Sequence, residues 1–198
     1  MLQSSYTDGL LEAGVDEAGR GCLAGPVFAA AVIFPKGFRD KEMNDSKQLT
    51  AKMREKLRSR IEEQAVAWAV ASESEKTIDE INILNASIRA MHNAILKLDP
   101  KPELLLIDGN RFKPLDGLRH QCIVKGDAKF MSIAAASILA KTYRDEFMTQ
   151  IGTEFPCYEW ASNKGYPCRK HREAIYRHGI SPYHRRSFRL YEQLKLVL

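Results

Sequence analysis

Residues Gly14–Pro35 read GVDEAGRGCLAGPVFAAAVIFP. Leu10–Asp16 (LLEAGVD) and Val27–Pro35 (VFAAAVIFP) have the apolar density of two short buried strands, and Pro35 ends the second. Between them stand two adjacent carboxylates, Asp16 and Glu17, followed by Gly19-Arg20-Gly21. A solvated turn would explain the acids and a flexible loop the glycines. Neither explains apolar residues on both sides, which put this turn at the edge of a buried sheet.

Outward from this stretch, strand and helix patterns alternate. Thr50–Ala65 (TAKMREKLRSRIEEQA) has helical periodicity, with Thr50 as N-cap and Met53, Leu57 and Ile61 on one face. Val66–Ser74 (VAWAVASES) returns to strand character. Ile81–Leu98 then carries Ile81, Leu84, Ile88, Met91, Ile95 and Leu98 at helical spacing, a core stripe. Glu103–Asn110 (ELLLIDGN) is a continuous apolar run closed by Asp108-Gly109, the pattern of a strand buried on both faces. His120–Lys125 (HQCIVK) reads as a second such strand. It leads through Gly126-Asp127 into a helix over Lys129–Met148 with a stripe of small residues. The alternation implies an α/β layered fold with at least partly parallel pairing.

The 198 residues suffice for one domain with its own core, about 1–152 forming an α/β catalytic core and about 153–198 a basic helical segment. No secretory leader or run of about 20 apolar residues is evident, so a cytoplasmic protein without a membrane span is expected. Cys22, Cys122, Cys157 and Cys168 lack zinc-ligand spacing and read as reduced thiols. The net charge of +5 is concentrated in Lys164–Arg189, where eight basic residues accompany one acid, Glu173. Interleaved with Tyr166, Tyr176 and Tyr183, this block is either a polyanion-binding surface or a solvated face.

Asp16, Glu17, Asp108 and Asp127 each lie at or just past the C-terminal end of an expected strand, where open α/β sheets bind ligands. If those strands run parallel, the acids converge. Converging carboxylates raise one another's pKa unless a cation holds them, and an all-oxygen donor set favours magnesium or manganese over zinc. Two such ions form the clamp used for in-line phosphodiester cleavage. Neighbouring strand residues point to opposite faces, so the strand is expected to end or bulge at Glu17. Taken singly, each acid could be an ordinary turn carboxylate; the pattern rests on three segments sharing it.

Together, GVDEAGRGCLAGP, NDSKQLT, LLIDGN, KGDAKFMSIAAASILAK and NKGYPCRKHREAIYRHGISPYHRRSF resemble bacterial ribonuclease HII, the type 2 ribonuclease H, from about residue 11 to residue 189. The resemblance implies a ribonuclease H-like α/β fold, a mixed five-stranded sheet flanked by helices with a C-terminal helical extension. It implies that Asp16, Glu17, Asp108 and Asp127 are both metal-binding and catalytic, holding two Mg2+ or Mn2+ ions. The implied activity is cleavage of RNA in RNA/DNA hybrids and of single ribonucleotides embedded in duplex DNA, 5′ to the ribonucleotide, leaving 3′-hydroxyl and 5′-phosphate ends. Gly19, Arg20 and Gly21 would bring backbone against the ribose 2′-hydroxyl, with Arg20 on a phosphate. Tyr166 would stack on the following sugar, or else be an interface aromatic.

Lys47 is a further phosphate or active-site contact on the same resemblance. Ser132, Ser137 and Lys141 either face nucleic acid backbone or pack the helix. Cys168 stands where many relatives carry threonine, weakening a phosphate contact if that hydroxyl makes one, and Asn163 stands where histidine is common. His171 is read as a phosphate or structural contact. Gln193–Leu198 (QLKLVL) resembles a sliding-clamp docking motif without its terminal aromatic, and is read first as the last apolar turn of a helix. A monomer is expected. The readings left beside the leading one are a non-catalytic duplex-binding module on the same fold and a ribonuclease HIII-type enzyme.

Overall fold

The computed structural model describes residues 2–43 and 49–191. Strand β1 (Glu12–Ala18) pairs antiparallel with β2 (Val27–Ile33), which pairs antiparallel with β3 (Ala67–Glu73). On its other side β1 runs parallel to β4 (Leu104–Asp108), and β4 runs parallel to β5 (Arg119–Ile123). The order β3-β2-β1-β4-β5 is the mixed five-stranded sheet implied by the resemblance. Strand β2 is apolar throughout, and β1 and β4 are buried up to the acids at their C-terminal ends, because helices cover both faces of these strands.

Helix α1 (Ala51–Gln64) starts where Thr50 Oγ1 accepts the Met53 amide at 3.2 Å. Helix α2 (Glu75–Leu96) begins ahead of the Ile81–Leu98 stripe because Ser74 caps it, and its helical dihedrals break at Asn82, φ 65° and ψ 162°. Its Ile78, Ala86, Ala90, Met91, Ala94 and Ile95 pack over Ala13, Val15, Ala29, Ala31, Leu105 and Ile107. Residues Phe112, Leu115 and Leu118 of the β4–β5 connection extend that cover, taking the place a crossover helix would fill. Helices α1 and α3 (Met131–Glu154) close the opposite face on Ala30 and Val32.

Two expectations are corrected. The pairing of β1 continues without a bulge through Asp16, Glu17 and Ala18, opposite Ala30, Ala29 and Phe28. Asp16 and Glu17 therefore leave the strand on opposite faces, Asp16 toward α3 and Glu17 toward α2, since Ala13 and Val15 of Glu17's parity pack on α2. Nor is β5 buried on both faces: Arg119 and Gln121 are exposed and only Ile123 is buried. It is the sheet's edge, and its own side chains cover one face only.

Helix α3 is buried continuously from Met131 to Ala140, which accounts for its small residues better than a single stripe does. Its first turn lies directly on β1: a Cβ added to Gly14 would fall within the backbone of Ser132 and Ile133. Glycine is required there for close approach.

Beyond α3, a 3-10 turn (Pro156–Tyr158), α4 (Trp160–Asn163) and α5 (Arg169–His178) fold onto Leu23, Ala24 and Met148. The centre of this packing is polar but fully satisfied. The Ser181 amide donates to His184 Nδ1 at 2.9 Å, so the His184 proton sits on Nε2 and is given to His171 Nε2 at 3.2 Å. His171 Nε2 also accepts from Trp160 Nε1 at 3.0 Å, leaving Nδ1–H to donate to the Tyr166 carbonyl at 3.0 Å. The chain of bonds closes only with both rings neutral. His171 is fully buried, so the structural half of its reading holds and the phosphate half falls.

Three expected outcomes follow from the fold. Gly14→Ala should destabilise by about 2–3 kcal/mol through overpacking, a fall of roughly 5–10 °C in melting temperature for a chain this size. Gly21→Ala, whose added Cβ meets no protein atom, should leave the melt within about 0.5 kcal/mol of wild type. Burial lowers the pKa of His171, and burial followed by the His171 charge lowers that of His184 to about 4. The unfolded chain thus binds more protons between the folded values and the ordinary value near 6.5. The stability contributed by this pair should be complete above pH 6.5 and decline toward pH 4. Melting curves at pH 7 and 5 should show this loss, and His184→Gln should lessen it.

Candidate active site

The C-terminal ends of β1 and β4 make the site. Val15 and Ile107 are register partners in this parallel pair, so Asp16 and Asp108 are the next residues of adjacent strands. Asp108 follows Leu104 and Leu106, which pack with Phe130 and Ile133 on the α3 side, and by strand alternation it shares that face with Asp16. The carboxylate of Asp108 accepts the Gly126 amide at 2.7 Å. Lys125, at φ 56°, turns the chain from β5 into the 3-10 turn Gly126–Ala128, so buried Asp127 is held one residue from that contact.

Asp16 is buried; it accepts the Glu17 amide at 2.7 Å and is hydrogen-bonded by Ser137 of α3. Burial raises its pKa well above the usual carboxylate range, and the charges of Glu17 and Asp108 raise it further. Glu17 is raised chiefly by burial, opposed by Arg20, whose Nη1 lies 3.0 Å from Oε1. Three carboxylates thus sit within electrostatic reach of each other in a desolvated corner, which a hard dication would offset. The all-oxygen donor set fits magnesium or manganese. As the side chains stand, no group of three or more His, Cys, Asp and Glu among the described residues forms a ready cage. Glu17 turns to Arg20, and Asp108 to Gly126.

Glu17 and Asp108 open together, with Arg20, Asn110 and Arg111, onto a cavity of about 320 Å3 walled on its far side by α2. Asn110 and Arg111, which follow the strand, carry no spacing or motif signal of a site. A larger cavity of about 840 Å3 lies elsewhere, on the exposed side of α5 between Arg172, Tyr176 and Tyr191.

The Gly-Arg-Gly turn is asymmetric. Gly19, at φ 96°, has no room for a Cβ because the guanidinium of Arg144 occupies that space. Gly21 faces open space at an ordinary φ, and Arg20 is about half exposed. Tyr166 is 41% exposed, its hydroxyl paired with the thiol of buried Cys22 and its ring beside Lys141 Nζ at 5.3 Å. The preceding turn is shaped by Asn163, which donates to the Tyr158 carbonyl and accepts from the Gly165 amide.

Of the other expected contacts, Ser132 is buried against β1 and Ser137 bonds Asp16, so both serve packing and the site from inside. Lys141 pairs with Asp145 at 2.7 Å. Exposed Cys168 is the N-cap residue of α5 and makes no side-chain cap bond. A threonine there would suit the helix end as well as any phosphate. The basic block divides: Arg169, Lys170, Arg177, Arg186 and Arg189 are exposed, whereas Arg185 is fully buried and Tyr183 packs inward. Lys47 and Gln193–Leu198 lie outside the described residues. Among the described residues, no helix is long and apolar enough to cross a membrane.

A family model described as ribonuclease HII matches residues 13–191. A protein of Parabacteroides distasonis named ribonuclease HII is 59% identical over 197 residues, covering 99% of each chain. The ribonuclease H2 crystal structure from Pyrococcus horikoshii superposes with a TM-score of 0.75 at 28% identity, over 90% of this chain and 94% of that one. The ribonuclease HII of a PCNA complex from Archaeoglobus fulgidus gives 0.77 at 28% identity, over 93% and 98%. The parallel strand ends, the acids they carry and these likenesses coincide: the chain belongs to the ribonuclease HII family and is a metal-dependent endoribonuclease of the ribonuclease H type.

Proposed function

We propose that Asp16, Glu17, Asp108 and Asp127 are the catalytic carboxylates. On this reading the enzyme cuts hybrid RNA strands and single ribonucleotides embedded in duplex DNA, 5′ to the ribonucleotide, giving 3′-hydroxyl and 5′-phosphate ends. The observation that carries it is the parallel β1/β4 pair, which sets Asp16 beside Asp108 on one face of the sheet. Two Mg2+ or Mn2+ ions, when bound, would supply positive charge for an attacking water and for the developing negative charge on the phosphate. Asp16, Glu17, Asp108 and Asp127 would hold them. Burial and mutual repulsion favour giving Asp16 and Glu17 a cation rather than leaving them charged alone.

Selection of the nucleotide falls to the loop that follows β1. Since protein packing does not require glycine at position 21, its missing side chain serves the ligand: backbone can approach a ribose and bond its 2′-hydroxyl, the group that separates RNA from DNA. Arg20, half exposed and tied to Glu17, would reach a phosphate while neutralising one acid. The exposed ring of Tyr166, anchored through Cys22, offers a stacking face for the next sugar. Lys47 is kept as a phosphate contact from its motif alone. The exposed arginines and lysine of the C-terminal segment would hold the duplex.

We further infer that residues 1–152 and 153–198 work as one unit in a cytoplasmic monomer. A clamp contact through Gln193–Leu198 is supported by the PCNA complex of the Archaeoglobus neighbour and by the motif.

The test is a DNA duplex with one ribonucleotide, run beside an all-DNA duplex and an RNA/DNA hybrid. With magnesium the wild-type protein should cut the first 5′ to the ribonucleotide and spare the second; a chelator should stop cleavage, and added Mg2+ or Mn2+ should restore it. Asp108→Asn should fold normally and lose on the order of 10³-fold or more in rate. Near-normal cleavage by that variant would remove Asp108 from the chemistry. Gly21→Ala, stable as above, should lose cleavage at the embedded ribonucleotide; retained cleavage there would end the ribose-reading role of the turn.

A further inference from the structure

Two arginines with no assigned part in the chemistry are buried beside it. Arg144 of α3 and Arg185, near the end of the described chain, are both fully buried. Their hydrogen bonds run to backbone carbonyls. Arg144 Nε donates to Pro26 at 3.1 Å, Nη2 to Ala24 at 3.0 Å and Nη1 to Lys164 at 2.9 Å. Arg185 Nε and Nη2 both donate to Gly25, at 2.9 and 2.8 Å, and Nη1 donates to Arg20 at 3.0 Å. Burying two guanidiniums side by side is costly, and a plain turn needs no such support. What the bonds accomplish is to tie the 20–26 loop from beneath and to join it to the turn that presents Tyr166.

The two loops also meet directly. The Leu23 amide donates to the Gly165 carbonyl at 2.8 Å, and a Cβ on Gly165 would stand 2.7 Å from the Ala24 carbonyl oxygen. Gly19 lacks a side chain because Arg144 fills its place. The carbonyl of Arg20, within the turn, and that of Lys164, two residues before Tyr166, are both bonded by this pair.

We propose that Arg144 and Arg185 are positioning residues that set the distance between the Gly19–Gly21 turn and Tyr166, and so determine how sharply the enzyme favours a lone ribonucleotide joined to DNA. The inference rests on the reading of Gly19–Gly21 and Tyr166 given above. A single embedded ribonucleotide offers one productive register, with one 2′-hydroxyl against the turn and one deoxyribose against Tyr166. A continuous hybrid offers a 2′-hydroxyl at every step, so a displaced turn still finds one. Lysine keeps the charge but has no planar fork, and cannot span the carbonyls that each guanidinium joins.

The experiment measures cleavage of the single-ribonucleotide duplex and of the continuous hybrid, both with magnesium, for Arg144→Lys, Arg185→Lys and Tyr166→Ala, after melting curves confirm folding. Both lysine variants should lower kcat/KM on the single-ribonucleotide duplex on the order of tenfold more than on the hybrid, mainly through kcat, because the exposed basic surface that holds the duplex is untouched. A merely structural role would lower both substrates equally. Gly165→Ala, which pushes the loops apart and leaves both arginines in place, should shift the ratio in the same direction and serves if a lysine variant does not fold. If Tyr166→Ala shifts the ratio while the folded lysine variants and Gly165→Ala do not, the positioning role is overturned and the Tyr166 reading stands. If Tyr166→Ala leaves the ratio unchanged, that reading fails and takes this inference with it.

Discussion

The rest of the structure depends on how closely α3 lies along β1 and the loop that follows it. The contact is possible only because Gly14 has no side chain where the backbone of Ser132 and Ile133 passes. From that point the helix follows the functional segment in order. Ser132 lies on Gly14, Ser137 bonds Asp16, Arg144 fills the space beside Gly19 and bonds Ala24 and Pro26, and Met148 packs on Gly25. One rigid helix thus fixes where the carboxylate leaves the strand and where the following loop runs. Small residues over most of its first three turns are the condition for this approach, since larger ones would lift the helix off the sheet.

The site is assembled from three supports that meet at one edge. The parallel pair β1/β4 carries Asp16 and Asp108, the turn after β5 carries Asp127, and the loop after β1 carries Gly19–Gly21. The two kinds of buried charge here are held differently. The acids are crowded and destabilised as anions, which suits a cation-binding edge. The arginines are satisfied by carbonyl oxygens, which stiffens a loop without adding a charge to the open surface. The C-terminal segment docks against that same loop through Leu23 and Ala24, so the part that would grip nucleic acid and the part that would read it share one packed cluster.

Much of this was legible in the chain. The apolar runs Val27–Ile33 and Leu104–Asp108 needed only strand patterning, and the cap at Thr50 follows from elementary helix-end chemistry, whereas the cap at Ser74 lay inside a segment read as strand. The four acids stood out because each ends a strand-like segment beside a small residue. Patterning failed where burial comes from the neighbours. β5 is short and has only Cys122 and Ile123 as apolar residues, and it lies at an edge of the sheet with β4 as its one strand neighbour among the described residues. The bulge expected at Glu17 is absent because both faces of the sheet edge are usable: Asp16 opens toward α3 and Glu17 toward the cavity beneath α2.

By itself the sequence determined the layered α/β class, the strand-end acids, the glycine-flanked Arg20 and the family, since these depend on local residue type, spacing and motif. Tertiary structure alone decided that β1 and β4 are parallel neighbours, that Arg185 turns inward although it sits in a basic run, and that Arg144 belongs to the loop after β1. It also decided that His171 and His184 are a neutral pair inside the C-terminal packing. Each of these is a relation between residues distant in the chain. What a guanidinium or an imidazole does is set by the partners that folding brings to it, and nothing in its own neighbourhood of the sequence records them.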